Sequence, residues 1–200
     1  MCSAGTRLFV ERKIYDDFTG RVADYAKALR VGDGLDPQTQ IGPLVSAQQL
    51  DRVSAYLDVG VAEGATAIVG GARLREEALA DGYFVPPTVF VGVEDEMRIA
   101  REEIFGPVIS AIPFDDIEDV IRRGNQSPFG LGSGVWTTDV RKAHRLAAAI
   151  RAGSVWINCY NLMDPAVPFG GYKMSGYGRE SGIQHLEEYL NVKAVWIKSD

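Results

Sequence analysis

Four groups of residues in this chain have types and spacing that could do chemistry. Cys2 stands beside Ser3, Ala4 and Gly5, whose small side chains leave room for a substrate at the thiol. A deprotonated, accessible thiol is a competent nucleophile, although one cysteine standing alone reads more simply as incidental. Glu102 and Glu103 are adjacent carboxylates that can share a proton or accept ribose hydroxyls. On their own they read as a solvated turn, with Phe105 as a packing residue. Gly32-x-Gly34, Gly170-Gly171 and Gly176-x-Gly178 lack the entering strand and following helix of a dinucleotide fingerprint, and there is no Walker A sequence. The fourth group is CYNLMDPAVPFGGYKMSGYGRE, Cys159 to Glu180. It is too rich in glycine for a core helix. With Tyr160, Met163, Phe169, Tyr172 and Tyr177 it is too aromatic for a linker, so it reads as an ordered loop of the kind that holds sites. Within it Cys159 reads as a small buried hydrophobe. His144 and His185 show no zinc-ligand spacing.

The elements that must position these groups follow from periodicity. LFV at 8–10 is a short strand. Residues 13–30 carry a helical stripe of Ile14, Phe18, Val22, Tyr25, Ala26 and Leu29. Ser46, with Gln49 three residues on, caps a second helix whose stripe is Leu50, Val53, Leu57 and Val61. Strands are expected at 66–71, 107–114, 131–137 and 154–158, and a strand-like run at 83–93 is broken by Pro86 and Pro87. A short helix follows at 116–123; Asp139 caps another, which Gly153 ends. Alternating strands and helices imply an α/β fold with a mainly parallel sheet and flanking helices. Sites in such sheets lie at carboxyl ends of strands, where 154–158 would deliver Asn158, Cys159 and Tyr160. LNVKAVWIK at 190–198 alternates as a terminal strand able to pair with another subunit at its edge.

Composition narrows the partners. The 200 residues include 27 acidic and 21 basic side chains, a formal charge of −6, with no stripe of Lys and Arg to suit nucleic acid. No apolar run is long enough to cross a membrane, and MCSAGTR has no secretory apolar core. Two cysteines make no disulfide scaffold, which suits reduced thiols and a cytoplasmic location.

Several blocks, taken in order, carry a resemblance. CSAGTR at 2–7, IGPLVS at 41–46, GYFVPPTVF at 82–90, EEIFGPV at 102–108, NCYN at 158–161 and PFGGYKMSGYGRE at 168–180 resemble the C-terminal, catalytic-domain portion of NAD(P)-dependent aldehyde dehydrogenases. The resemblance covers essentially the whole chain. It implies that Cys2 is the nucleophile: it attacks an aldehyde to give a thiohemiacetal, helped by its own backbone N–H at the oxyanion. Hydride then passes to the nicotinamide and water hydrolyses the thioester. It implies that Glu103 holds the nicotinamide-ribose hydroxyls, that Phe105 packs near the nicotinamide, and that Gln49 and Arg52 approach the cofactor. Met1, Ser3, Tyr160, Met163, Asp164 and Phe169 match positions lining the aldehyde tunnel. NLMDPAVPFGG looks most like enzymes acting on phenylacetaldehyde or related aryl aldehydes, so an aryl or medium apolar aldehyde is expected.

The cofactor implied is NAD, with NADP not excluded. The family's N-terminal, Rossmann-type cofactor domain, which supplies the pyrophosphate turn, an oxyanion amide and the general base, has no match here. The chain is therefore expected to be an incomplete fragment. Its expected parts are a catalytic domain over 1–182 and a tail over 183–200, whose strand reaches toward a partner in a dimer or tetramer. Two other readings stand beside this one: a non-catalytic homologue acting in binding or assembly, and a cofactor-free esterase built on Cys2.

Overall fold

The apolar run at the head of the chain folds as a strand, β1 (Arg7–Glu11), followed by a 3-10 turn (Arg12–Ile14) and helix α1 (Tyr15–Ala28). The computed structural model describes residues 2–75 and 79–200; Met1, expected to line the aldehyde tunnel, lies outside them. The chain divides into two compact units, one up to Arg123 and one from Gly124.

In the first unit, helix α2 (Ala47–Ala62) leads into β2 (Thr66–Val69), β3 (Thr88–Val91), the single-turn helix α3 (Arg98–Arg101), β4 (Val108–Phe114) and α4 (Ile117–Gly124). The sheet order is β1-β4-β3-β2. β1 and β3 run parallel to β4, with Leu8 opposite Ala111 and Val89 opposite Ile109, and β2 closes the edge antiparallel to β3. This is the expected mainly parallel sheet. The run at 83–93 is trimmed to four residues starting just after Pro87, because a prolyl nitrogen cannot donate to the ladder. Val108, Ser110, Ala111 and Ile112 of β4 are all buried, as suits a central strand covered on both faces.

Ser46 caps α2 as expected, its hydroxyl accepting from the Gln49 N–H at 3.2 Å. Leu50, Val53, Tyr56 and Leu57 then pack with Phe90, Ile99, Val108 and Ile112. Val61, expected in this stripe, is exposed. The stripe expected for α1 is corrected more fully. That helix buries Thr19, Ala23 and Ala26, while Ile14, Phe18 and Tyr25 are exposed. Small side chains let the helix axis approach the sheet, and the large ones are turned outward.

The second unit contains β5 (Phe129–Gly130), β6 (Gly132–Val135), α5 (Val140–Ala149), β7 (Ser154–Ile157), β8 (Tyr172–Lys173) and α6 (Gln184–Glu187). β6 and β7 are parallel, and β5 and β8 antiparallel. Asp139 caps α5, its Oδ1 accepting from Arg141 N at 2.8 Å. The helix stops at Ala149, ahead of Gly153.

The alternating stretch at 190–198 forms no strand with the described residues of the chain, and Val192, Trp196 and Ile197 in it are exposed. A strand needs a neighbouring backbone to pair with, and none of those residues supplies one. No helix among the described residues is long and apolar enough to cross a membrane, and no group of His, Cys, Asp and Glu among them could hold a metal.

Candidate active site

Ser46 fixes where α2 begins, and so where Gln49, Arg52 and Tyr56 stand along one face of it. That face meets the segment between α3 and β4. Gln49 Nε2 donates to the carbonyl oxygens of Ile104 (3.2 Å) and Phe105 (3.0 Å), and Arg52 Nη2 donates to that of Glu103. Gly106 allows the approach: a Cβ there would lie 2.7 and 2.9 Å from the two γ-carbons of Val53. Phe105 adopts φ of +57°, which costs a bulky residue about 1–3 kcal/mol. The hydrogen bonds from α2 hold the loop in that strained form and leave Phe105 48% exposed.

Ser46, Gln48, Gln49, Arg52, Glu103 and Phe105 line an open cleft of about 570 Å³. All four residues expected at the cofactor are thus brought together. Gln49 and Arg52 both use donors to fix the loop that carries the other two.

The adjacent carboxylates differ sharply. Glu102 accepts from Tyr56 Oη at 2.7 Å and from both Arg98 Nε and Nη2 at 3.0 Å. The Arg98 guanidinium, and after it the Tyr56 hydroxyl, hold its pKa at about 2 instead of the usual 4.5. Glu103 is exposed, and among the described residues its carboxylate has no hydrogen bond or ion pair.

A pH dependence follows from Glu102. A carboxyl whose pKa falls on folding stabilises the fold above its unfolded pKa and loses that contribution as the pH drops through the folded value. The stability difference between wild type and Glu102→Gln is therefore expected to hold at neutral pH and to shrink between pH 4.5 and about 2, read by denaturant melts across that range. Glu102 and Arg98 are 43% and 51% exposed, so solvent screening keeps the difference below about 1 kcal/mol.

Cys2 and Ser3 form a turn ahead of β1, and the Cys2 thiol is free and exposed. They do not line the cleft. They do share an edge with it: β1 and β4 are parallel neighbours, and Ser110 N donates to Thr6 O at 2.8 Å. The segment before β1 and the loop before β4 therefore both emerge at the amino ends of the strands. The carboxyl-end expectation is corrected for this unit, because its candidate residues precede their strands.

In the second unit the carboxyl-end expectation holds for β7, which runs directly into Asn158, Cys159 and Tyr160. Asn158 turns the chain with φ of +54°, and its side chain bonds both Thr137 N and Thr137 O at 2.9 Å. Cys159 is half-buried, less enclosed than a core residue. Tyr160 stacks on Trp136 (6.0 Å between centroids, 8° between planes) and packs against Trp156 (4.9 Å). Burial pushes its phenol pKa up.

Asp164 closes a turn by accepting from Ala166 N at 2.8 Å, and Met163 is exposed. Phe169 pairs with Glu180 through two backbone bonds of 2.7 Å. Arg179 donates to Gly171 O and lies over the Tyr172 ring at 5.2 Å. Sequence reasoning missed Trp136 and Trp156 as partners of Tyr160, and Tyr56 and Arg98 as partners of Glu102. The parallel pairing that sets Gly134 opposite Trp156 is the signal for the first pair. The helical spacing of Arg52 and Tyr56 is the signal for Tyr56.

Comparison with known proteins places this geometry. The aldehyde dehydrogenase family profile matches residues 1–195. The putative aldehyde dehydrogenase DhaS of Bacillus subtilis is 52% identical over 197 residues, covering 98% of this chain and 39% of that protein. A betaine aldehyde dehydrogenase of Brucella anthropi is 48% identical over 198 residues, covering 99% of this chain and 41% of that one. Among solved structures, the NAD+ complex of an aldehyde dehydrogenase from Bacillus cereus aligns with a TM-score of 0.94 at 48% identity, over 100% of this chain and 40% of that one. The chain thus spans about two fifths of the length of these relatives.

Proposed function

We propose a function from one premise: the chain belongs to the aldehyde dehydrogenase family. It is the catalytic portion of an enzyme that oxidises an apolar aldehyde, aryl or of medium length, to the carboxylic acid with NAD. One observation carries this reading. Of two neighbouring carboxylates, Glu102 is fully engaged, while Glu103 has no partner among the described residues and lines a cleft beside the exposed Phe105. An unpaired carboxylate suits the two hydroxyls of a ribose, and an aromatic face suits a nicotinamide.

The donor set fits NAD, whose nicotinamide C4 supplies a hydride acceptor when bound. Glu103 would hold the ribose hydroxyls and Phe105 the ring, with Gln49 and Arg52 keeping both in place. Cys2 as thiolate adds to the aldehyde carbon, forming a C–S bond and an alkoxide that its backbone N–H helps to hold. Loss of hydride from that carbon leaves a thioester. Water then cleaves the C–S bond, releasing the acid and restoring the thiol.

Tyr160, Met163, Asp164, Phe169 and Ser3 are proposed to face the aldehyde. The aromatic group of Tyr160 and Trp136 supports an aryl substrate. A second reading, a quaternary-ammonium aldehyde, is favoured by the same rings, since aromatic faces attract such cations. It also suits the relatives named for betaine aldehyde. Relative kcat/KM for phenylacetaldehyde and betaine aldehyde decides between the two.

Residues 183–200 are proposed as a tail that pairs with a second subunit, supported by the alternating, exposed stretch 190–198, which forms no strand with the described residues. Residues 1–182 are proposed to act together as the catalytic domain.

The test of the cleft is Glu103→Gln. Exchanging the carboxylate for an amide is expected to weaken binding of nicotinamide mononucleotide by about tenfold, the value of one hydrogen bond to a charged group. Titration followed by NMR measures it. Equal affinity in the variant contradicts the reading.

A further inference from the structure

We propose that Tyr56 is a positioning residue for the nicotinamide-ribose cleft, fixing through Glu102 and Arg52 the loop that presents Glu103 and Phe105. The cleft's ligand rests on the function proposed above; the anchoring itself rests on geometry alone.

Tyr56 is buried at 8% exposure and packs in the core formed by α2, β3 and β4. A phenylalanine would fill that space equally well. The hydroxyl is therefore explained by its partner, as buried tyrosine hydroxyls generally are. That partner is Glu102 Oε2, at 2.7 Å and 46 residues away in sequence. The ring has a further task. The guanidiniums of Arg52 and Arg98 lie over it at 5.3 and 5.5 Å. Arg52 donates to the Glu103 carbonyl, and Arg98 donates to the Glu102 carboxylate. One side chain thus supports the holds on two successive residues of the loop.

The consequence for Glu103 comes from backbone geometry. Glu102 has φ of −102° and ψ of 152°, an extended conformation. Successive side chains of an extended segment point to opposite sides. With the Glu102 side chain tied to Tyr56 and Arg98, the Glu103 side chain is directed to the opposite side of the segment, into the cleft it lines with Gln49 and Arg52. The Arg98–Glu102 pair alone is half exposed, and exposed ion pairs contribute little. The buried phenol gives the anchor its direction. Arg98 is braced in turn, its backbone N–H donating to Glu63 Oε2 at 2.8 Å.

The test uses the 200-residue chain with Tyr56→Phe, Glu102→Gln and the double variant. Backbone amide hydrogen exchange at residues 103–106 is the first readout, and titration with nicotinamide mononucleotide is the second. Tyr56→Phe keeps the ring and removes only the hydroxyl. It is expected to speed exchange at 103–106 by about tenfold, the scale of one hydrogen bond to a charged group, with amides of α1 and β4 unchanged. Glu102→Gln, which keeps an oxygen acceptor for the phenol, is expected to speed it by less than about fivefold, and the double variant to add little to Tyr56→Phe, because the two groups act as one pair. In both variants nucleotide affinity falls with the loop's order.

Val53→Ala serves as a control for simple loss of packing, since it is expected to speed exchange throughout the core. Exchange at 103–106 that stays at the wild-type rate in Tyr56→Phe overturns the proposal. So does a rise spread evenly over the unit, as in the control. If the loop loosens but the wild-type chain binds no nucleotide, the anchor is supported and the nicotinamide reading fails.

Discussion

Replacing Cys2 by alanine is expected to abolish the proposed aldehyde oxidation, measured with this chain joined to the remaining part of a relative, a loss on the order of 10⁴-fold or more, as for removal of other covalent nucleophiles. The fold is expected to be untouched. Cys2 is exposed, in a turn before β1, and surface substitutions of this kind stay within about 0.5 kcal/mol. Serine in its place keeps the shape but offers an un-ionised hydroxyl at neutral pH, so nearly the same loss is expected. Cys159→Ala is the contrast. That thiol is half-buried, beside Tyr160 in sequence, and its removal is expected to leave the rate within a few-fold of wild type. Absorbance of NADH gives the rates, and thermal melts confirm that all three variants are folded. An undiminished rate in Cys2→Ala would show that Cys2 is not the nucleophile.

The largest effect on stability is expected from Gly153→Ala. A Cβ at this position would fall onto the carbonyl oxygen of Gly170. Both groups are backbone, so neither can swing aside as a side chain would. Gly153 N is also held by Gly130 O at 3.0 Å, at the entry to β7. The turn through Gly170 and Gly171 that follows Phe169 must then move, and the sequence-based reading of Gly153 as a helix terminator misses this contact. Overpacking of this kind is expected to cost about 3 kcal/mol. For a unit of this size that lowers the melting temperature by about 12–24 °C. Fluorescence of Trp136 and Trp156 reports the second unit. A melt within a degree or two of wild type contradicts the close packing described.

The longer strands and helices were legible because they carry local signals, such as Ser46 and Asp139 at their caps, the pair Pro86–Pro87 ahead of β3 and the apolar run of β4, whereas the two-residue strands β5 and β8 and the single-turn helices α3 and α6 carry none. Gln49, Arg52, Glu103 and Phe105 were named from the resemblance of short blocks, and the structure gathers them in one cleft. What stayed hidden depends on tertiary contact. Periodicity marks large apolar residues, but α1 docks through Thr19, Ala23 and Ala26, so of its expected stripe only Ala26 is buried, Val22 and Leu29 are half-buried, and Ile14, Phe18 and Tyr25 face outward. Glu102 and Glu103 look alike in sequence. Only the approach of Tyr56 and Arg98 makes the first an anchor and leaves the second available. The placement of candidate residues before β1 and β4 was likewise fixed by strand pairing, which no local pattern reveals.

Cys2, Glu103 and Phe105 are proposed to carry the nucleophile and the nicotinamide end of an aldehyde dehydrogenase site. The most direct test joins this chain to the rest of the Bacillus cereus aldehyde dehydrogenase, in place of the stretch it matches at 48% identity. NADH formation from NAD and phenylacetaldehyde is then followed by absorbance. Turnover is expected, and it is expected to disappear with Cys2→Ala. A folded, NAD-binding chimera that forms no NADH from phenylacetaldehyde, betaine aldehyde or a medium-length aliphatic aldehyde would contradict this assignment.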